Sequence, residues 1–283
     1  MFAWGLLTDR VGERLVLAGG LAACGGSLVA AGRVDGFGAL FALLFLAGAF
    51  GASVNAASGR AVMGWFAASE RGFALGIRQA AVPIGGIAGA LVLPQLGVEG
   101  AFAFLGGLCL AFAVVGAVLL REAPANAAEI HDVEYTLRDT RLWRLCGVSG
   151  LYLVSQIAVM SFVVVYLHDE RGLGKGEAAA VLAGVQAGAL VLRVAVGRWS
   201  DVLRSRIVPL RRIGLAMTAS LALATVLLDG PLALLIPAFV VSGALSMAWN
   251  GLAFAATAEL FGRARSGAAI GVQQSALAAV GVV

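Results

Sequence analysis

Arg78 and Gln79 sit inside a long apolar stretch, where an arginine is costly unless it faces water or an anion. Arg78 lies seven residues beyond Arg71, roughly 10 Å further along a helix at about 1.5 Å per residue. Such a pair can hold a carboxylate or another small anion. The alternative is a helix that begins late, with Arg78 snorkelling to the headgroups. Further polar side chains within apolar runs are Asn55, Tyr152, Gln156, the neighbours Trp249 and Asn250, and Gln274. At about 100° per residue, Gln156 falls about 40° one way from Tyr152 and Tyr166 about 40° the other, so the three share a helical face. Asn55 and Asn250 are open to two readings, as ligands or as hydrogen-bond links between helices. All of this is the chemistry of recognition. Covalent chemistry lacks its parts: there is no His-Glu-x-x-His, the single lysine (Lys175) lies in a hydrophilic turn, and His131 and His168 fall near loops. Cys24, Cys109 and Cys146 are odd in number and read as small buried hydrophobes. No metal site, no cofactor and no enzymatic activity are expected.

The elements that position these residues are membrane spans. The chain is 60% hydrophobic and 13% charged, with a mean hydropathy of +0.94, far from the composition of soluble domains. Charge-free runs cover 15–32, 36–59, 79–98, 100–120, 145–167, 230–258 and 266–283, with two shorter ones near 178–196 and 213–228. Most approach the roughly 20 residues that a helix needs to cross the hydrocarbon. Their length and unbroken apolarity exclude membrane strands. An all-α, polytopic membrane protein follows, with the lipid bilayer as a partner and no nucleic-acid surface.

The same constellation occurs twice. Gly48, Ala49 and Asn55 recur as Gly243, Ala244 and Asn250, and Gly72, Ala74, Gly76 and Gln79 recur as Gly267, Ala269, Gly271 and Gln274, all offset by 195. Gly5, Thr8, Asp9 and Arg14 recur as Gly197, Ser200, Asp201 and Arg206, offset by 192. Arg78 has Gln273 as its counterpart, so symmetry does not require its charge. Two parallel halves of common ancestry are the arrangement of a two-bundle transporter. Hydrophilic turns on one side hold fifteen arginines against two arginines and Lys175 on the other, which makes the first side cytoplasmic. The polar segment from Arg121 to Arg144 joins the halves, and His131 within it reads as a solvated loop residue. Met1 to Trp4 resemble the last turn of a helix and Val283 ends within a span, so a piece of a longer chain is expected. Arg193, one turn before Gly197, reads as structural, although it shares a face with Gln186.

Gly5-Leu6-Leu7-Thr8-Asp9-Arg10-Val11-Gly12-Glu13-Arg14 resembles the cytoplasmic loop signature of the major facilitator superfamily. Gly5, Leu7, Asp9, Arg10, Gly12 and Arg14 fit it, and Glu13 departs from a usual basic residue. The second copy keeps Gly197, Asp201 and Arg206 and loses the second glycine, with Leu203 nearby. The resemblance implies two pseudo-symmetric six-helix bundles, here helices 2 to 11 of twelve. Residues 1–121 form the first bundle, 122–143 the connector and 144–283 the second bundle. It also implies a conformational latch at Gly5, Asp9, Arg10, Arg14, Gly197, Asp201 and Arg206, the alternative being an ordinary helix-capped turn. On the residues themselves, Asp9 is placed to start the next helix and to pair with Arg10 or Arg14. The implied central cavity makes Asn55, Arg78, Gln79, Tyr152, Gln156, Trp249, Asn250 and Gln274 the candidate substrate residues. The stretch from Glu70 to Gln79 is loosely similar to bacterial cyanate and other anion permeases. The implied function is alternating-access transport of a small solute, inclined toward an organic or inorganic anion, with drug efflux as the alternative and a membrane receptor or scaffold more remote. A monomer in the cytoplasmic membrane of a bacterial cell is expected. No Asp or Glu lies in the middle of a span. A coupling ion, proton or counter-anion, therefore has no visible carrier.

Overall fold

In the computed structural model the described residues are 1–121, 137–262 and 265–282. Residues 122–136 of the connector, with His131, and Arg263 in the last turn lie outside them. The order is α1 (Phe2–Val11), α2 (Glu13–Ala31), α3 (Phe37–Gly51), α4 (Ser53–Trp65), α5 (Arg71–Val92) and α6 (Val98–Leu119). Then follow α7 (Thr140–Asp169), α8 (Lys175–Val202), α9 (Ile207–Val226), α10 (Leu232–Met247), α11 (Asn250–Phe261) and α12 (Ser266–Val282). Strands are absent among the described residues. The nine apolar runs become α2, α3 with α4, α5, α6, α7, α8, α9, α10 with α11, and α12, while α1 is the short leading helix. Seven helical segments among the described residues are long and apolar enough to cross a membrane, counting α3–α4 and α10–α11 as one each. Two runs are broken: α3 yields to α4 at Ala52, and α10 to α11 at Ala248 and Trp249. With the 195 offset, Ala52 corresponds to Met247, so the duplicated sequence breaks its helices at nearly the same place.

Two compact units result. The first comprises Met1–Trp65, Ala88–Leu142 and Thr257–Ser275, and the second Phe66–Ile87, Trp143–Ala256 and Ala276–Val283. Each unit therefore borrows a helix start from the other half of the chain: α12 begins in the first and α5 in the second. In the first unit α2 packs against α6 through small residues. A Cβ on Gly25 would lie 2.7 Å from the Gly106 carbonyl oxygen, too close for any larger residue. In the second unit Val159, Val163 and Leu167 of α7, Val181, Val185 and Ala189 of α8, and Leu235 and Met247 of α10 form a dry core. Large apolar side chains cover the outside instead, as in the α3 stripe Phe37, Phe41 and Phe45, which are 83%, 62% and 67% exposed. That inversion suits lipid rather than water as the surrounding solvent.

The turn between α1 and α2 needs Gly12, whose φ of 99° is accessible to glycine alone at little cost. Its counterpart at the 192 offset is Arg204, not Leu203. Arg204 holds a left-handed φ of 49° with a side chain that disfavours it. Arg204→Gly is expected to stabilise the protein by about 1 kcal/mol, the usual cost of that conformation for an L-residue. Thermal unfolding in detergent measures it, and a lowered midpoint would contradict a strained turn.

Candidate functional site

Two carboxylates, each in the last turn of a helix and four residues after a glycine, cap the start of a helix far away in sequence. Asp9 accepts the backbone N–H groups of Gly267 at 3.2 Å and Ala268 at 2.8 Å, at the head of α12. Asp201 accepts those of Gly72 at 3.0 Å and Phe73 at 2.8 Å, at the head of α5. The four donors are related by the 195 offset and the two acceptors by 192. A helix start offers free N–H groups and the positive end of its dipole, so a carboxylate is the natural partner. Glycines permit the approach. A Cβ on Gly5 would collide with the Gly267 carbonyl, and one on Gly197 with the Gly72 carbonyl. The expectation that Asp9 starts the following helix is thus corrected: it caps α12.

The two caps are wired differently. Asp201 is paired with Arg206, Nη1 to Oδ1 at 2.5 Å, and the same guanidinium reaches Ser200 Oγ at 2.6 Å and the Ala68 carbonyl at 2.7 Å. Asp9 pairs neither with Arg10 nor with Arg14. Arg10 is exposed, and Arg14 donates to the Ala117 carbonyl at 2.6 Å. Arg60 of α4 takes their place, with Nε 3.2 Å from Asp9 Oδ1 and Nη1 2.7 Å from Glu13 Oε2. Glu13, the residue that departs from the loop pattern, is buried and shares this guanidinium. The counterpart of Arg60 is Ala255, so the second copy has no such cation and keeps Arg206 at home.

A second cluster lies in the second unit around the break between α10 and α11. Arg193 of α8 is 2% exposed. It donates Nε to the Met247 carbonyl at 2.9 Å and Nη1 to the Gln79 carbonyl at 2.6 Å. Met247 ends α10, and its carbonyl is one of those that a helix terminus leaves without a partner. Next to the break, the Trp249 ring stacks on Tyr152, centroids 5.7 Å apart. Trp249 Nε1, Asn250 Oδ1 and Gln156 Oε1 are buried without a hydrogen-bond partner among the described residues. Arg78 lies over the Phe254 ring, 6.0 Å from its centroid, with Nη1 3.3 Å from Gln79 Oε1. Tyr152 and Tyr166 do not offer free hydroxyls. They donate to the Leu210 and Leu228 carbonyls at 2.8 and 2.7 Å, fixing α7 to both ends of α9. Asn55 and Gln274 belong to the first unit, on α4 and α12. The structure therefore gathers Arg78, Gln79, Tyr152, Gln156, Trp249 and Asn250 into one unit. An apolar groove of about 400 Å³ lined by Leu223, Leu227, Leu234 and Val241 offers no polar chemistry beyond Ser220. No group of three metal-ligating side chains occurs among the described residues.

A family model described as the Major Facilitator Superfamily matches residues 1–283. The chain belongs to the major facilitator superfamily. Two curated relatives, from two strains of Mycobacterium tuberculosis and both named uncharacterized MFS-type transporters, are 35% and 34% identical over 97% of this chain. The chain spans 63% of the length of each. Among solved structures, the major facilitator superfamily transporter FucP in its outward conformation matches with a TM-score of 0.77 at 17% identity, over 100% of this chain and 77% of its own. The human organic anion transporter MFSD10 matches with a TM-score of 0.76 at 18% identity, over 98% of this chain and 71% of its own. These likenesses fix the fold of this superfamily member, a multi-pass membrane protein of a family of transporters rather than enzymes.

The structure brings forward two arginines outside the candidate set, Arg193, read from the sequence as structural, and Arg60. The available signal for Arg193 was its spacing of four from Gly197, which put it on the face that carries Asp201. For Arg60 no sequence signal marked the contact, since 47 residues separate it from Glu13.

Burial pushes the Asp9 carboxyl up to about 6, against the opposing pull of the Ala268 N–H, Arg60 and the Gly267 N–H. Asp9 lies in the last turn of α1, three residues before Gly12 and outside the candidate spans. The folded state holds this proton more tightly than the unfolded chain, whose value is near 3.8. Its contribution to stability is therefore complete below about 4 and declines as pH rises to about 6. The thermal midpoint of the unaltered protein minus that of Asp9→Asn is expected to fall across that window and level off above it. A difference that does not change with pH would count against a buried, titrating Asp9.

Proposed function

We propose that the protein carries a small solute across the cytoplasmic membrane of a bacterial cell by alternating access, and that the solute is a small organic or inorganic anion. The observation that carries this reading is the set of buried polar atoms in the second unit, Trp249 Nε1 and Asn250 Oδ1 at the α10–α11 break and Gln156 Oε1 one helical turn from Tyr152, that no group among the described residues satisfies. Buried polar atoms without partners are uncommon in folded proteins and expensive where water is scarce. An anion supplies the acceptor that the Trp249 N–H lacks, and the Gln156 and Asn250 amides can turn to present N–H rather than oxygen to it. Broken helices near polar residues are how transporters of this architecture present backbone and side-chain groups to a solute.

Arg78 and Gln79 supply the inclination toward anions, since an intramembrane guanidinium close to the cluster favours a negative charge. Asn55 and Gln274, from the other unit, are proposed as further solute contacts. The twin caps at Asp9 and Asp201 serve as the latch, with Gly5 and Gly197 permitting it and Arg206 steadying the second. For the first cap, Arg60 takes the part expected of Arg10 and Arg14. The repeats 1–121 and 144–283, joined by 122–143, are the bundles that move. A monomer is sufficient for this cycle.

Uptake of radiolabelled anions into liposomes containing the reconstituted protein tests the reading. Arg78→Gln is expected to abolish anion uptake, a loss of at least about tenfold for a charge-assisted contact, while leaving membrane insertion intact. Uptake that survives the substitution unchanged removes Arg78 from the site.

A further inference from the structure

Arg193 presents an electrostatic problem that its hydrogen bonds do not solve. It lies nine residues before the end of α8, roughly 13 Å inside at about 1.5 Å per residue. Both of its acceptors, the Met247 and Gln79 carbonyls, are neutral. No carboxylate among the described residues lies within ion-pair distance of it. The negative end of α10, at Met247, offsets part of the charge. The remainder stays buried and unneutralised, which proteins rarely tolerate without a purpose.

The surroundings add to the positive side. α11 begins at Asn250, so the free N–H groups and positive dipole end of a twelve-residue helix open beside the break. Trp249, 1% exposed, holds an unpartnered indole N–H there. Arg78 lies over Phe254, four residues further on. The two amides, Gln156 and Asn250, can each turn to present either oxygen or nitrogen. Nε and Nη1 of Arg193 are spent on carbonyls, and Nη2 donates to none of the described residues.

We propose that Arg193 anchors the acidic group of the transported solute at the α10–α11 break, and that the solute is a small carboxylate with an apolar, planar body. The reading rests on the anion transport proposed above and goes further by naming the anchor and the class. Charge selects the carboxylate, since a guanidinium held in place by two carbonyls still offers a directed donor with full charge. The aromatic side chains Tyr152, Trp249 and Phe254 select the body, because flat rings favour flat or apolar partners. Fixing the guanidinium to the carbonyl at the break also sets its distance from Trp249 and Asn250 before any ligand arrives.

Benzoate and its neutral isostere benzamide are suitable probes. In detergent, benzoate is expected to raise the thermal midpoint of the unaltered protein and benzamide to leave it unchanged. Arg193→Gln is expected to weaken benzoate binding at least about tenfold. Arg193→Lys keeps the charge and loses the planar fork, so it is expected to bind with intermediate affinity. Should the glutamine variant fail to fold, the lysine variant decides. Benzoate binding of unaltered strength in either folded variant overturns the anchor. Equal binding of benzamide, or no response to benzoate in the unaltered protein, overturns the class. Benzoate that binds with Arg193-dependence yet never enters liposomes removes transport and leaves the anchor standing.

Discussion

A carboxylate set against the free N–H groups of a helix start is the contact on which this protein's construction turns, and it is made twice. Each instance brings together three conditions. The last turn of a helix must hold the aspartate, a glycine one turn earlier must let two backbones touch, and a second helix must begin at that point. Gly5 and Asp9 meet α12 in this way, and Gly197 and Asp201 meet α5. A side chain larger than hydrogen at either glycine would push its two helices apart and take the helix-start N–H donors from the aspartate beside it.

The duplicated frame has diverged in its charges. In the second copy Arg206 sits inside the turn and holds Asp201 directly. In the first, two acidic side chains, Asp9 and Glu13, converge on Arg60 from another helix. Further along the same seams, Gly76 rests on the Arg193 backbone as Gly271 rests on that of Met1. The backbone arrangement is preserved while the polar residues on it are not. The α5–α8 seam carries a buried guanidinium, Arg193, that reaches the break between α10 and α11.

Much of this frame was legible in the sequence for a physical reason. Apolar runs of span length specify helices in lipid, and repeated glycine–aspartate spacing marks where backbones must approach, so the helix order followed from position alone, while the helix that Asp9 caps did not. Nor did the pairing of charges. Asp9 has three arginines within reach of a sequence argument or a fold, and only packing decides that Arg60 wins. Tyr152 and Tyr166 were legible as sharing a face, yet what that face meets is the pair of carbonyls at Leu210 and Leu228. Periodicity states which side chains point together and is silent about what stands opposite. The break at Ala248 and Trp249 was likewise invisible, because nothing in its composition resembles a turn.

The borrowed helix starts bear on how the molecule is assembled in time. The stretch from Thr257 to Ser275 belongs with residues made much earlier, and the stretch from Phe66 to Ile87 belongs with residues made much later. Neither unit can close while the ribosome is midway through the chain, and Asp9 must wait through 258 residues of synthesis for its donors. Until then a carboxylate and its guanidinium stand at the membrane edge with only water and lipid for company. Each unit therefore closes only after residues of both repeats are made, rather than one half being finished before the other is begun.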